Sequence, residues 1–229
     1  MFAKLFLTLL AIFPSIKICN AAECLEDKVL IVSEQGFSHL ATYMQGSESV
    51  AVLFHGSGGF DQYTDALKTE LCKADKTDLI VLVDWSQHSG NQILAPFQGQ
   101  KIGKKLARSL PKEDKTYYVI GISVGAFAAD EFVRGLKSHG QQNSVSLVLL
   151  DPFVAKGFDF NYGLRFFGKE ADQCIHYLNT DDPVPFTNKP LRHCDVRDVT
   201  KERPDATPGH DWPLIYFTSL VKQELAPYL

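Results

Sequence analysis

The pentapeptide Gly121-Ile122-Ser123-Val124-Gly125 follows the β-prone run "TYYVI" and leads into a stretch with helical spacing. A serine hydroxyl is a weak nucleophile at neutral pH. It gains strength from an adjacent base, an acid that orients that base, and donors aimed at the oxyanion that forms on attack. A serine on a sharp strand-to-helix turn is held in a strained conformation that presents its oxygen, and the flanking glycines are required where a side chain would collide with strand or helix. A match to this short pattern arises by chance about once in ten chains of this size. Its surroundings therefore decide whether Ser123 is chemical.

The surroundings supply each partner. "HGSGG", His55 to Gly59, ends an apolar run where a hydrolase fold contributes one oxyanion N–H, and the residue after the nucleophile contributes the other. These donors would be Ser57 and Val124. The same glycines lack the G-x-x-x-x-G-K spacing of a phosphate-binding loop. The base is expected late in the chain, and His210 in "TPGHDWPL" stands in a loop ahead of a helix. His39 and His139 lie in polar stretches and read as surface residues, His176 as a satisfied core histidine in a strand, and His88 as a loop residue with no assigned role. His193, beside Cys194 and Asp195, has no second cluster at ligand spacing, so neither a metal nor an organic cofactor is expected. The acid stays open between Asp151, closing "LVLLDPF", and Asp181 or Asp182 in "YLNTDDPVPF".

These residues need a frame. Continuous β-branched runs at Ser49–His55, Asp78–Trp85, Thr116–Ile122 and Ser144–Asp151 predict strands covered on both faces. Asp61–Ala74, Pro96–Leu110 and Val124–Ser138 carry apolar residues at three- and four-residue spacing. This alternation predicts an α/β fold with a mostly parallel sheet and helices on both faces. Cys174–Thr180 predicts a further strand, and "HDWPLIYFTSLVKQEL" a closing helix with Pro213 near its start. In such sheets chemistry gathers at the carboxyl ends of strands, where all of the residues above fall.

The 229 residues, 45% of them hydrophobic, suffice for one core, and a formal charge of -4 argues against nucleic acid as a partner. An early lysine, a short apolar stretch from Leu5 to Phe13 and small residues at Ala21 and Ala22 predict a secretory signal peptide over residues 1–21, followed by a single domain over 22–229. A membrane anchor would need about 18 unbroken apolar residues, and Pro14, Ser15 and Lys17 interrupt the run. The four cysteines left after cleavage predict two disulfides, Cys24–Cys72 and Cys174–Cys194, of a secreted or periplasmic protein.

"VAVLFHGSGG", "LIVLVDW", "YYVIGISVGAFAADEF", "LVLLDPF" and "PGHDWPLIYFTSL" together resemble the catalytic domain of the pancreatic lipase family, from about Ser49 to Leu220. The resemblance implies an α/β-hydrolase fold and an acyl-serine mechanism, with Ser123 as nucleophile, His210 as base, Asp151 as acid, and Ser57 and Val124 as oxyanion donors. The chain departs from the family at Ser57, where a bulky apolar residue is usual, and at Ile122, where a histidine is usual. The lid is reduced to "TKERPDATPG", and the C-terminal β-sandwich is missing. The expected activity is cleavage of short or medium carboxylic esters or single-chain lipids. The alternatives are a cutinase-like or thioester hydrolase using Asp181 or Asp182, and a non-catalytic lipase-like binding protein.

Overall fold

The computed structural model describes residues 16–18, 28–138 and 142–227. The chain forms an α/β fold. Its strands are β1 (Ile16–Ile18), β2 (Val29–Ser33), β3 (Ser49–Phe54), β4 (Leu79–Asp84), β5 (Thr116–Ile122), β6 (Ser144–Leu150), β7 (Gln173–Leu178) and β8 (Asp195–Asp198). They lie in one sheet in the order β1-β2-β4-β3-β5-β6-β7-β8. Only β1 is antiparallel to its neighbour; β2 to β8 are all parallel. The helices between them are α1 (Phe37–Tyr43), α2 (Gln62–Ala74), α3 (Ser86–Ser89), α4 (Ala95–Ser109), α5 (Ala126–Ser138), α6 (Tyr162–Phe166) and α7 (Trp212–Lys222).

Strand side chains alternate between two apolar cores because successive residues point to opposite faces. Val50, Val52 and Phe54 of β3, with Val81 and Val83 of β4, pack under α1, α4 and α5. Ala51, Leu53, Ile80 and Leu82 from the same strands face α2 and α7. A strand buried on both faces must be apolar at every position, which explains the unbroken runs in the sequence. Each large side chain fully buried in these cores, Phe127 of α5 and Phe217 of α7 among them, stabilises the fold by about 1.5–3 kcal/mol.

Asp61 caps α2, accepting the N–H groups of Tyr63 and Thr64 at 3.1 and 2.8 Å. Pro213 stands in the first turn of α7 as expected, where no intrahelical acceptor awaits its missing N–H. Cys174 and Cys194 form a disulfide between the start of β7 and the residue before β8. Cys72 is also disulfide-bonded, and its expected partner Cys24 lies outside the described residues. So does most of the predicted signal peptide. Among the described residues no helix is long and apolar enough to cross a membrane.

Two readings need revision. The chain spends β2, α1 and β8 on segments that the apolar runs did not mark, and β8, "DVRD", is mostly exposed. His176 is fully buried in β7, as a core histidine should be, yet neither ring nitrogen has a hydrogen-bond partner among the described residues. Its cross-strand neighbours are Leu149 and Val196, whose side chains offer no polar atom. Burial without compensation drives its pKa down to about 3.

Candidate active site

β5 runs down the middle of the sheet and ends at Ile122, and the chain turns at Ser123 with φ +51° before entering α5. That left-handed backbone is costly for a residue with a side chain and persists where the surroundings enforce it. The two glycines show how. A Cβ on Gly125 would lie 2.5 Å from the carbonyl oxygens of both Phe54 and His55, and one on Gly121 would lie 2.8 Å from the Cβ of Ala129. The turn can press this closely against β3 and α5 only without those side chains. The Ser123 carbonyl is further held by the N–H of Phe153 at 3.1 Å, which ties the elbow to the segment after Asp151.

His210 reaches Ser123 from the other side. The Ser123 hydroxyl donates to Nε2 of His210 at 2.9 Å. The histidine's own loop is anchored next to it. Asn179, just past β7, donates its side-chain N–H to the Gly209 carbonyl at 2.7 Å, and the Trp212 indole donates to the Val199 carbonyl at 2.6 Å.

Both candidate strand ends deliver a carboxyl to the same ring nitrogen. Nδ1–H of His210 points to Asp182 Oδ2 at 2.7 Å and to Asp151 Oδ2 at 3.3 Å. Asp181 is exposed and is not among these contacts. Asp151 ends β6 in the left-handed region, φ +45°, and is 1% exposed. Burial pushes its pKa well above the ordinary carboxylate range, and the adjacent Asp182 adds to this against the hydrogen bond from His210. Burial also acts on Asp182, but hydrogen bonds from His210, Asp151, Thr187 and the Val184 N–H outweigh it and hold this carboxyl well below the ordinary range. Burial disfavours the charged form of His210, yet its bonds to Asp151 and Asp182 win and raise its proton affinity. Together Asp151, Asp182 and His210 form the one acidic-histidine group among the described residues that is compact enough for a cation. The Nδ1 proton directed at the carboxyls, and the serine on Nε2, leave the imidazole no free lone pair for one.

The glycine-rich loop after β3 lies against the serine. Gly56, Ser57 and Gly59 line a cavity of about 110 Å³ with Ser123, His210 and Leu214. Val124 is buried behind the serine, and its N–H precedes the first hydrogen bond of the turn that opens α5. A larger open groove, about 460 Å³, lies at the β7–β8 edge between Tyr177, Arg197 and Tyr216, away from Ser123.

Sequence reasoning assigned no role to His55, which proves to hold the glycine-rich loop in place. It is fully buried, donates through Nδ1 to the Gly56 carbonyl at 2.8 Å and accepts the Trp85 N–H on Nε2 at 3.1 Å. Trp85 returns an indole N–H to the His55 carbonyl at 3.0 Å, and Ser89 accepts the Gly58 N–H at 3.1 Å. Burial lowers the pKa of His55 and keeps the ring neutral. The signal for this clamp was the pairing of a histidine at one strand end with "DW" at the next, which only the adjacency of β3 and β4 explains. Asp61 and Asp211 also line the cavity and were likewise unassigned.

Compared with models of known protein families, the chain matches none. No curated protein matches it significantly either. The functional reading therefore rests on the geometry.

Proposed function

We propose that this protein is a secreted serine hydrolase that cleaves carboxylic esters through an acyl-serine intermediate, with no metal or organic cofactor. The observation that carries the reading is the continuous chain of hydrogen bonds from the Ser123 hydroxyl through both nitrogens of His210 to buried carboxyl groups. In the reaction, Ser123 Oγ attacks the ester carbonyl while its proton passes to His210 Nε2. The tetrahedral oxyanion lies between the N–H groups of Ser57 and Val124. The proton then leaves Nε2 for the alcohol oxygen as the C–O bond breaks, and water repeats the sequence to release the acid.

The disulfide Cys174–Cys194 supports an oxidising, extracytoplasmic location. The resemblance to the pancreatic lipase family belongs to the same proposal. The segments that follow Asp151 and Asp182 favour an acyl substrate. Phe160 stacks on Phe186 at 5.3 Å, Phe186 meets Phe153 edge-on at 5.9 Å, and Phe158 is 99% exposed. Nitrophenyl esters of increasing acyl length, assayed with wild type and Ser123→Ala, test the reading. Turnover in wild type alone is expected. No turnover in either, with no fluorophosphonate labelling of wild type, would point to a binding protein.

A further inference from the structure

Given the hydrolase reading, the unusual feature of the site is that the imidazole faces two acids. The carboxyl oxygens of Asp151 and Asp182 and the His210 nitrogen all lie within 4.8 Å of one another. Both side chains are essentially inaccessible, at 1% and 0%. Two buried carboxylates this close cannot both ionise, because each charge raises the cost of the other. Their partners are unequal. Asp182 accepts from the Val184 N–H at 3.0 Å, from the Thr187 hydroxyl and from His210, whereas Asp151 accepts from the Asn179 N–H at 3.2 Å and more distantly from His210. The negative charge therefore settles on Asp182 and the proton on Asp151.

We propose that Asp151 and Asp182 act as one acid: the pair holds a single proton and a single negative charge, and either member can receive the Nδ1–H of His210. During attack the imidazole gains the serine proton and becomes cationic opposite that one negative charge. The proton shared by the carboxyls does not move to substrate. If Asp182 is neutralised, Asp151 no longer has a charged neighbour, gives up its proton to solvent and takes over the orientation of the ring. The other charged groups at the cavity are Asp211, beside His210 at the start of the α7 turn, and Asp61, the cap of α2; Arg203, in the preceding loop, donates to the Thr207 carbonyl at 3.1 Å.

The test is a double-mutant cycle on kcat/KM with Asp151→Asn, Asp182→Asn and both together, in variants whose folding is checked by circular dichroism. Each single variant is expected to lose no more than about tenfold, and the double variant about 10⁴-fold, because only then does the ring lose its tautomer-setting partner. The acid limb of the pH profile should barely move in either single variant, since the charge facing the imidazole stays at one. A drop of about a unit in that limb would mean two independent charges and overturn the proposal. So would a single variant already as inactive as the double, or losses that simply multiply. Carboxyl carbon resonances of aspartate-labelled protein give a readout without turnover. Apart from buried Asp130, whose pKa burial raises only to about 6 and which is present in every variant, one aspartate that stays protonated above neutral pH is expected in wild type and absent from each single variant. If no ester is hydrolysed but that resonance is present, the hydrolase reading fails and the pair stands. If esters are hydrolysed and every aspartate is ionised, the pair fails and the hydrolase stands.

Discussion

His55 opens the glycine-rich loop that lines the cavity beside Ser123, His210 lines the same cavity, and the protein treats the two rings in opposite ways. His55 directly follows β3, is fully buried, and hydrogen-bonds only to backbone groups; the Asp84 carboxylate lies 3.8 Å from its Nε2, but burial outweighs it and lowers the pKa. His210 is also partly enclosed, but two carboxyls face its Nδ1 and raise its affinity for a proton. The identity of the residue is the same; the partner of one ring nitrogen decides whether it is a strut or a base. The glycine-rich loop is thus held by a ring that burial biases toward the neutral form, while the ring beside Ser123 binds a proton more readily.

The sharpest way to break this comparison is at the serine side. Ser123→Ala and His210→Ala should each cost about 10⁴-fold or more in kcat while leaving the melting temperature within a few degrees, because they remove the nucleophile or its base and little packing. Activity retained in either variant would remove the contrast altogether.

His176 extends the comparison to a ring with no hydrogen-bond partner among the described residues. Its pKa is lowered to about 3 in the folded protein from an ordinary 6.5, so its contribution to stability is present above pH 6.5 and is lost as pH falls toward 3. The loss over that window is on the order of 5 kcal/mol. His176→Leu should flatten the stability curve between those pH values, as measured by urea unfolding at several pH values. An unchanged slope would show that the ring finds a partner.

The smallest effect is expected at His55. His55→Phe keeps an aromatic ring, slightly larger than imidazole, but leaves the Trp85 N–H without its acceptor, at a cost of about 1–3 kcal/mol in stability. The loop bearing Ser57 would then loosen, lowering kcat more than it raises KM, since oxyanion contacts form in the transition state. A KM effect alone would mean the loop positions substrate instead.

The sequence reported the middle of the sheet well because burial on both faces forces continuous apolar runs. Thr116–Ile122 coincides with β5, and Ser49–His55 and Asp78–Trp85 overrun β3 and β4 by a residue or two. It was silent on β8, where "DVRD" is an edge strand whose ladder is made by the backbone and whose side chains face water. Ser123 and His210 were legible from local context. The acid was framed as a choice between strand ends, because nothing in a linear chain shows that β6 and β7 are neighbours whose loops converge on one nitrogen. The positive φ of Asp151, which helps to place its carboxyl there, has no sequence signal at a non-glycine position. His176 read as satisfied because hydrogen-bond partners come from across the fold.

The disulfide between Cys174 and Cys194 has a consequence for how the molecule can be cut. With a sequence separation of 20, it makes a closed covalent ring of β7 and the turn that carries Asp182 and Thr187. Arg192 is exposed within that ring. A protease that severs the chain after Arg192 opens the ring without releasing a fragment, so the nicked protein migrates whole until it is reduced and then falls into two pieces. That arrangement lets the segment bearing Asp182 be cut and still stay on the molecule.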